Sequence, residues 1–582
     1  MKTYQAIDPK MPENIALSFS GGGFRAASFS LGCLSYLEQL NFNDKPFMDM
    51  VKFASSASGG TITLLSYSVA KRNGEEFKDY YKWMVNEVLY GENLVNQVFD
   101  IMRSSSEWNS RPNKSRNLIN AFSIAYDLKI FKGEKFGFLW ENGGIPDICV
   151  NTTEFQNGLL FRFQNKGRIG NNFIKGVLKE NLQKIKLGDI LACSSCFPVG
   201  FEPFVYPKDF SYAGLDREAL ERAVEMNNKY INNERESTDL FPLMDGGIDD
   251  NQGIDSFMNA EERLELKNKF GYDLYMTCDV SSNYTNGYQY PSQSKSGWFG
   301  RRSLLFYIGT IFLLLALGVL GAVFDVCKGL SYAVIGITSF FSALIIFVGI
   351  KLISSKKKAE TDHSTAVLLI LKHLRFFLRL DISILIQEIY ARLTSAGELA
   401  AVIFLKKIRR ASYGGLFQRV TSVGDRRGTA NPEGPRVTNL KFWGQFSVMN
   451  AIYMLSTKNK SKLEESLKGE VWVKKELELP IGDKMEKAFD FMTPSEKMRK
   501  AADLAAKMET TLWYDAHHIE QGQPKAVVAC GQFTTCYNLL RWSLRFKDAP
   551  GQTIWEDFQQ NLTIQYTKFK DDPYWLFNDY SK

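Results

Sequence analysis

Histidine is almost missing from this chain of 582 residues: there are four, His363, His373, His517 and His518. A hydrolase built on serine, histidine and aspartate would have to recruit one of them, and none sits in a recognisable catalytic context. Cysteine is sparse as well. Eight are scattered from Cys33 to Cys536 without the spacing of a disulfide framework, which points to a reducing compartment. Cys193 and Cys196 have redox or zinc spacing, but no second pair completes a four-ligand site, so two small buried side chains are the better reading. Residues 1–14 hold no apolar run and no cleavage-like site, so a secretory signal is not expected. The net charge of +7 is small for the length. With no nucleic-acid motif beside it, nucleic acid is not expected as a partner, and a mild preference for anionic surfaces is what remains.

The length exceeds one ordinary core and sets a prior of about two to four domains. The first segment alternates strand and helix signals. Ile15–Phe19 is a short apolar strand that runs into a glycine cluster. A helix follows with Ala26, Phe29, Cys33, Leu34 and Leu37 on one face. Residues 51–54 read as a second strand, residues 61–71 as a helix after it, and residues 272–280 as a later strand. That order predicts an α/β sheet with its sites at strand-to-helix turns. No internal repeat is present.

Three clusters suit one hydrolytic site: Ser20-Gly21-Gly22-Gly23-Phe24-Arg25, Ser56-Ala57-Ser58-Gly59-Gly60 and Asp245-Gly246-Gly247. Ester hydrolysis by serine needs a nucleophile, a base within hydrogen-bond reach and donors aimed at the developing oxyanion. Ser58, on a tight turn at a helix start, fits the nucleophile, and the helix N-terminus favours negative charge beside it. Gly21, Gly22 and Gly23 offer N–H groups with no Cβ in the way. Asp245 beside two glycines offers a base, which removes the need for histidine. Ser55 and Ser56 read as turn-packing hydroxyls, and Asp249 and Asp250 as solvent-facing.

These clusters resemble those of the patatin-like phospholipases, the superfamily that includes cytosolic phospholipases with a serine–aspartate dyad. Ser20 to Arg25 resembles the oxyanion loop, Ser58-Gly59-Gly60 the nucleophile elbow, and Asp245-Gly246-Gly247 with Asn251 the dyad aspartate motif. Ser194-Ser195-Cys196-Phe197-Pro198, followed by Phe201 and Pro203, resembles the segment the family carries between the two. The likeness covers residues 13–280, and more vaguely 505–545. Two positions depart from it: the elbow usually begins with glycine, here Ser56, and glycine often follows the loop arginine, here Ala26. The resemblance implies a three-layer α/β/α sandwich with a central, mostly parallel sheet. It implies catalysis by Ser58 and Asp245 through an acyl-serine, with the oxyanion held by Gly22, Gly23, Gly59 and, in the wider set, Gly21. It gives Arg25 a lipid phosphate to bind, with a structural salt bridge as the alternative. No cofactor or metal is called for.

Past a polar stretch at 281–300 the composition changes. Residues 303–324 carry no charge, and neither do residues 329–350. About 20 apolar residues cross a hydrocarbon core, so a transmembrane hairpin is expected. Lys295, Arg301 and Arg302 precede it, and Lys351, Lys356, Lys357 and Lys358 follow it, which puts both ends on the cytoplasmic side. Trp298, Phe299 and Tyr307 suit the interfacial aromatic belt. Residues 364–393 read as a long amphipathic helix, either on the bilayer surface or in a core. Lys406, Lys407, Arg409 and Arg410 read as a solvated basic face, with lipid head groups as the alternative partner, and residues 421–438 as a flexible loop.

The sequence thus predicts a catalytic domain over 1–295, a hairpin over 296–355 and a largely helical cytoplasmic part over 356–582 packing on the first. The expected activity is a phospholipase A or lysophospholipase facing the cytoplasm, with membrane phospholipid as substrate and the bilayer as partner. A bacterial inner membrane fits best, with an intracellular eukaryotic membrane as the alternative. Another lipid ester, acyl transfer, or an inactive scaffold of the same fold are the competing readings.

Overall fold

The computed structural model describes residues 12–582 except 92–93, 142, 171, 199, 211–214, 225–240, 267–270, 281–296, 362–377, 399–406, 414–446, 462, 464–490, 510, 512 and 545–551. The chain divides into two units. One comprises Met1–Thr285 with Ala401–Lys582, the other Asn286–Ala400.

In the first unit, short runs of apolar and small residues become strands buried on both faces, as parallel sheets require. The sheet is built from β1 (Ile15–Phe19), β2 (Val51–Ala57), β3 (Ile148–Glu154), β4 (Leu159–Gln164), β5 (Phe204–Tyr206), β6 (Phe241–Asp245), β7 (Leu274–Asp279) and β8 (Ser447–Ala451). Its order is β8-β7-β1-β2-β3-β6-β5, with β4 also on β3. The β8-β7-β1-β2-β3 stretch is parallel throughout, and β4, β6 and β5 join it antiparallel. The expected strand at 51–54 therefore runs three residues further, up to the serine turn.

Alternation along the strands sorts the two faces. Ala16, Phe53, Cys149 and Tyr275 pack beneath Ile254, Phe257 and Met258 of helix α4. On the opposite face Ile15, Leu17 and Phe19 meet α1 (Gly23–Glu38), α2 (Gly59–Arg72) and α3 (Leu187–Ser194). Helix α4 spans Ile254–Glu265. The result is the expected three-layer sandwich with a mostly parallel central sheet.

The segment after residue 401 completes this unit rather than standing beside it. β8 adds an edge strand on β7. Tyr514, Met498 and most of the long helix at Gln523–Ser543 join the same core as α1. That helix crosses α1 at near-backbone contact: a Cβ on Gly32 would lie 2.0 Å from the Val528 carbonyl oxygen. Arg409, expected on a solvated face, instead pairs through Nε with the fully buried Asp279 carboxylate at 2.7 Å. The reason is that β7 ends in a buried carboxylate, and an unpaired charge there would be costly. Lys406 and the loop expected at 421–438 lie outside the described residues.

In the second unit α5 (Leu304–Val323) and α6 (Lys328–Thr361) form a helical hairpin. Both are long and apolar enough to cross a membrane. Their large side chains face outward: Leu313, Leu317 and Leu320 on α5, and Ile337, Phe340 and Ile346 on α6, are exposed. Gly318 lets the helices approach at Val334 and Ile335. Of the amphipathic helix expected at 364–393, residues 362–377 lie outside the described residues, and a helix α7 is found at Ile382–Glu398. Its start is stapled to the root of α5, with Ile382 N–H donating to the Arg302 carbonyl at 2.9 Å.

Candidate active site

β2 ends at Ala57 and α2 begins at Gly59, so Ser58 alone makes the turn. Its backbone takes φ 48° and ψ −122°, a conformation that costs a non-glycine residue about 1–3 kcal/mol and persists only where surroundings enforce it. The enforcement is visible. Ser58 N–H donates to Ser194 Oγ at 2.9 Å, and Thr61 N–H donates to the Ser58 carbonyl at 2.9 Å.

Asp245 is brought to Ser58 by sheet register. Ala57 pairs with Asn151 and Asp245 with the next residue, Thr152, along the same edge of β3, whose other edge is taken by β4. Adjacent residues of one strand thus set both ends of the pair. The Asp245 carboxylate accepts a hydrogen bond from Gly247 N–H at 2.6 Å, and the Ser58 side chain is near enough to act on its pKa. Its own N–H donates to the Cys196 carbonyl at 2.9 Å, and Thr153 Oγ1 donates to its carbonyl at 2.9 Å. Burial pushes the carboxyl up from its ordinary 3.8 to about 6, while Gly247 N–H and the Ser58 side chain pull the other way. Desolvation of a carboxylate has that sign. A base with this pKa can hold a proton and release it near neutral pH. Ser58 and Asp245 are only 7% and 5% exposed.

The triple-glycine turn sits against the elbow. Phe24 N–H is spent on the Thr511 carbonyl at 2.7 Å. Gly21 is spent too: its N–H donates to the Asn251 carbonyl at 3.0 Å. This corrects the expectation for Gly21, because the loop is tied to the aspartate turn through that bond and has no donor left there. Gly22, Gly23 and Gly59 have no backbone acceptor for their N–H groups among the described residues. They are the donors that remain.

Arg25 was expected at a lipid phosphate or in a structural salt bridge. It is buried, and its Nη1 donates to the Met508 carbonyl at 2.7 Å, with burial lowering its pKa. Thus Arg25, Phe24 and Ser28, whose Oγ lies 2.8 Å from the Tyr514 hydroxyl, fasten Met508, Thr511 and Tyr514 to the glycine loop and the start of α1.

The departures from the resemblance are accommodated. Ser56 is fully buried with its Oγ 3.0 Å from Thr61 Oγ1, and Ser55 donates to the Gly253 carbonyl at 2.8 Å. Ala26 lies within α1, where alanine is the best helix former. Asp250, expected in solvent, is fully buried and accepts from Ser256 N–H and Asn151 Nδ2, both at 3.0 Å. Cys193 and Cys196 are buried thiols. His517 and His518 lie on the short helix Ala516–Glu520, bonded to Gln521 and Asp515. His363 and His373 lie outside the described residues.

Three contributors were not singled out from sequence: Ser194, Thr511 and Tyr126, the last a buried tyrosine whose pKa burial raises and whose neighbours include Asp245. Ser194 stands inside a segment whose likeness was noted, so a signal existed for it. Thr511 lies in the stretch of vaguer likeness at 505–545, and Tyr126 carries no signal of its own, since only the fold brings it near.

Residues 17–258 match the model of the patatin-like phospholipase family. This part of the chain is a patatin-like phospholipase domain. Its family is one of lipid acyl hydrolases. The matched stretch of the patatin-like phospholipase domain runs from within β1 to within α4, so β7 and β8 extend its sheet beyond the match. No curated protein matches the chain.

Proposed function

We propose that this protein is a membrane-anchored serine acyl hydrolase that cleaves fatty-acyl esters of phospholipids or lysophospholipids. The observation carrying the proposal is the sheet register that sets Ser58, on its strained turn, beside the buried carboxylate of Asp245, whose pKa burial raises to about 6. Asp245 takes the Ser58 proton as Oγ attacks the acyl carbonyl. N–H groups of Gly22, Gly23 and Gly59 hold the resulting oxyanion, aided by the N-terminus of α2. Protonated Asp245 then gives its proton to the departing alcohol oxygen, leaving an acyl-serine. Water, deprotonated by Asp245, attacks that ester; fatty acid leaves and Ser58 recovers its proton.

The hairpin of α5 and α6 supplies the anchor. Two spans return the chain to its starting side, and the basic residues at both ends favour the cytoplasmic face. Tethering raises the effective concentration of lipid at the site. Ser56 lends no weight to an inactive scaffold, because its hydroxyl has a partner and displaces no reacting group.

Lipid mass spectrometry of cells expressing wild type beside Asp245→Asn tests the proposal. Free fatty acid and lysolipid should rise with wild type alone. An equal rise with the variant contradicts the assignment of the base.

A further inference from the structure

The elbow and the aspartate turn share one intermediary. Ser194, at the end of α3, is fully buried, and its hydroxyl contacts three elements at once. Ser58 N–H donates to its Oγ at 2.9 Å, its own proton goes to the Asn151 carbonyl at 2.7 Å, and Thr61 Oγ1 lies at 3.1 Å. Its carbonyl accepts Gly246 N–H at 3.1 Å, one residue past Asp245.

Counting protons gives this cluster a direction. A serine hydroxyl has one proton, and Ser194 gives its proton to Asn151. Thr61 must therefore donate to Ser194, and Ser56, 3.0 Å from Thr61, must donate to Thr61. A one-way chain runs from Ser56 through Thr61 and Ser194 to Asn151, and Ser58 N–H joins it at Ser194. All four members are fully buried, where an unpaired polar group is expensive and a satisfied network rigid. Ser56, at the position where glycine is usual, is the first donor of the chain.

We propose that Ser194 is a positioning residue for the Ser58–Asp245 pair, its hydroxyl holding the strained elbow while its carbonyl holds the aspartate turn. This rests on the acyl-hydrolase reading. Without the hydroxyl, Ser58 N–H and the Asn151 carbonyl lose their partner, and the elbow can relax away from Asp245. The Ser58 side chain is one of two groups that hold the Asp245 pKa down. Moving that side chain away raises the pKa, a change that loss of stability alone does not make.

The test uses the full chain in detergent and a medium-chain p-nitrophenyl ester, with rates normalised to sites titrated by a fluorophosphonate. Ser194→Ala should lower kcat per active site on the order of 100-fold at little change in KM, and move the acid limb of the pH profile upward. Ser194→Thr, which keeps a hydroxyl, should restore part of the rate. Thr61→Val removes a neighbouring hydroxyl but leaves the bonds from Ser58 N–H to the Ser194 hydroxyl and from Gly246 N–H to its carbonyl, so its acid limb should stay in place. If Ser194→Ala does not fold, Ser194→Cys, a weaker donor and acceptor, carries the same comparison. Unchanged kcat and acid limb in the Ser194 variant overturn the proposal, as does an equal shift in Thr61→Val. Activity that survives Ser58→Ala in this assay refutes the dyad itself, a separate failure.

Discussion

Gly59 is pressed against Gly23: a Cβ on residue 59 would stand 1.9 Å from the Gly23 carbonyl oxygen. That contact fixes the oxyanion loop relative to the nucleophile through backbone alone. Gly59→Ala must push the loop away, since no flexible side chain can give. The expected cost is about 1–3 kcal/mol of stability from overpacking. The expected loss in kcat/KM is on the order of 100-fold from displaced oxyanion donors. Thermal unfolding and ester kinetics check the two together, and wild-type kinetics would mean that the loop does not serve the reaction.

Acid should silence the enzyme before it unfolds it. Asp245 must be ionised to accept the Ser58 proton, and its pKa is raised to about 6 by burial. The rate should fall about tenfold per pH unit below that value and level off above it. The sign for stability is opposite. The folded pKa lies above the ordinary 3.8, so Asp245 binds a proton more tightly when folded, and acidification through this window favours the folded state at this residue. A kcat/KM profile recorded beside melting temperatures separates the effects. A rate that stays flat down to pH 4 contradicts the assigned base.

Arg25 should behave as a fastening of the loop. Arg25→Met removes the charged bond to the Met508 carbonyl, which is worth about 1.5–3 kcal/mol. Melting temperature should drop, while the preference between phosphatidylglycerol and phosphatidylcholine vesicles stays as in wild type. A changed headgroup preference at unchanged stability would instead put the guanidinium at the lipid.

Cys327 offers a topology test without engineering. It is the exposed one of the eight cysteines, the other seven being buried, and it lies between α5 and α6. A membrane-impermeant maleimide should label it from the side opposite the catalytic unit. Labelling from the cytoplasmic side alone argues against a spanning hairpin.

Much of the fold was legible because two kinds of pattern dominate it. Ile15–Phe19 is apolar throughout and leads into glycines, and the uncharged runs at 303–324 and 329–350 admit few environments. Ser58 and Asp245 were legible because their neighbouring glycines mark turns where side chains would not fit. What escaped depends on distance in the chain. Gly21 looks the same in sequence as Gly22 and Gly23, yet its N–H is taken by Asn251, 230 positions away in the numbering. Arg409 reads as one more basic residue until β7 delivers the buried Asp279. β8 lies far beyond the hairpin, so that the segment completes the catalytic sheet follows from pairing with β7, not from any local signal.

The most direct test of the account is covalent. Full-length protein treated with a fluorophosphonate and digested for mass spectrometry should carry the adduct on the peptide containing Ser58. Labelling should vanish in Ser58→Ala and slow strongly in Asp245→Asn. An adduct on another serine, or labelling that persists in Ser58→Ala, contradicts the account at its centre.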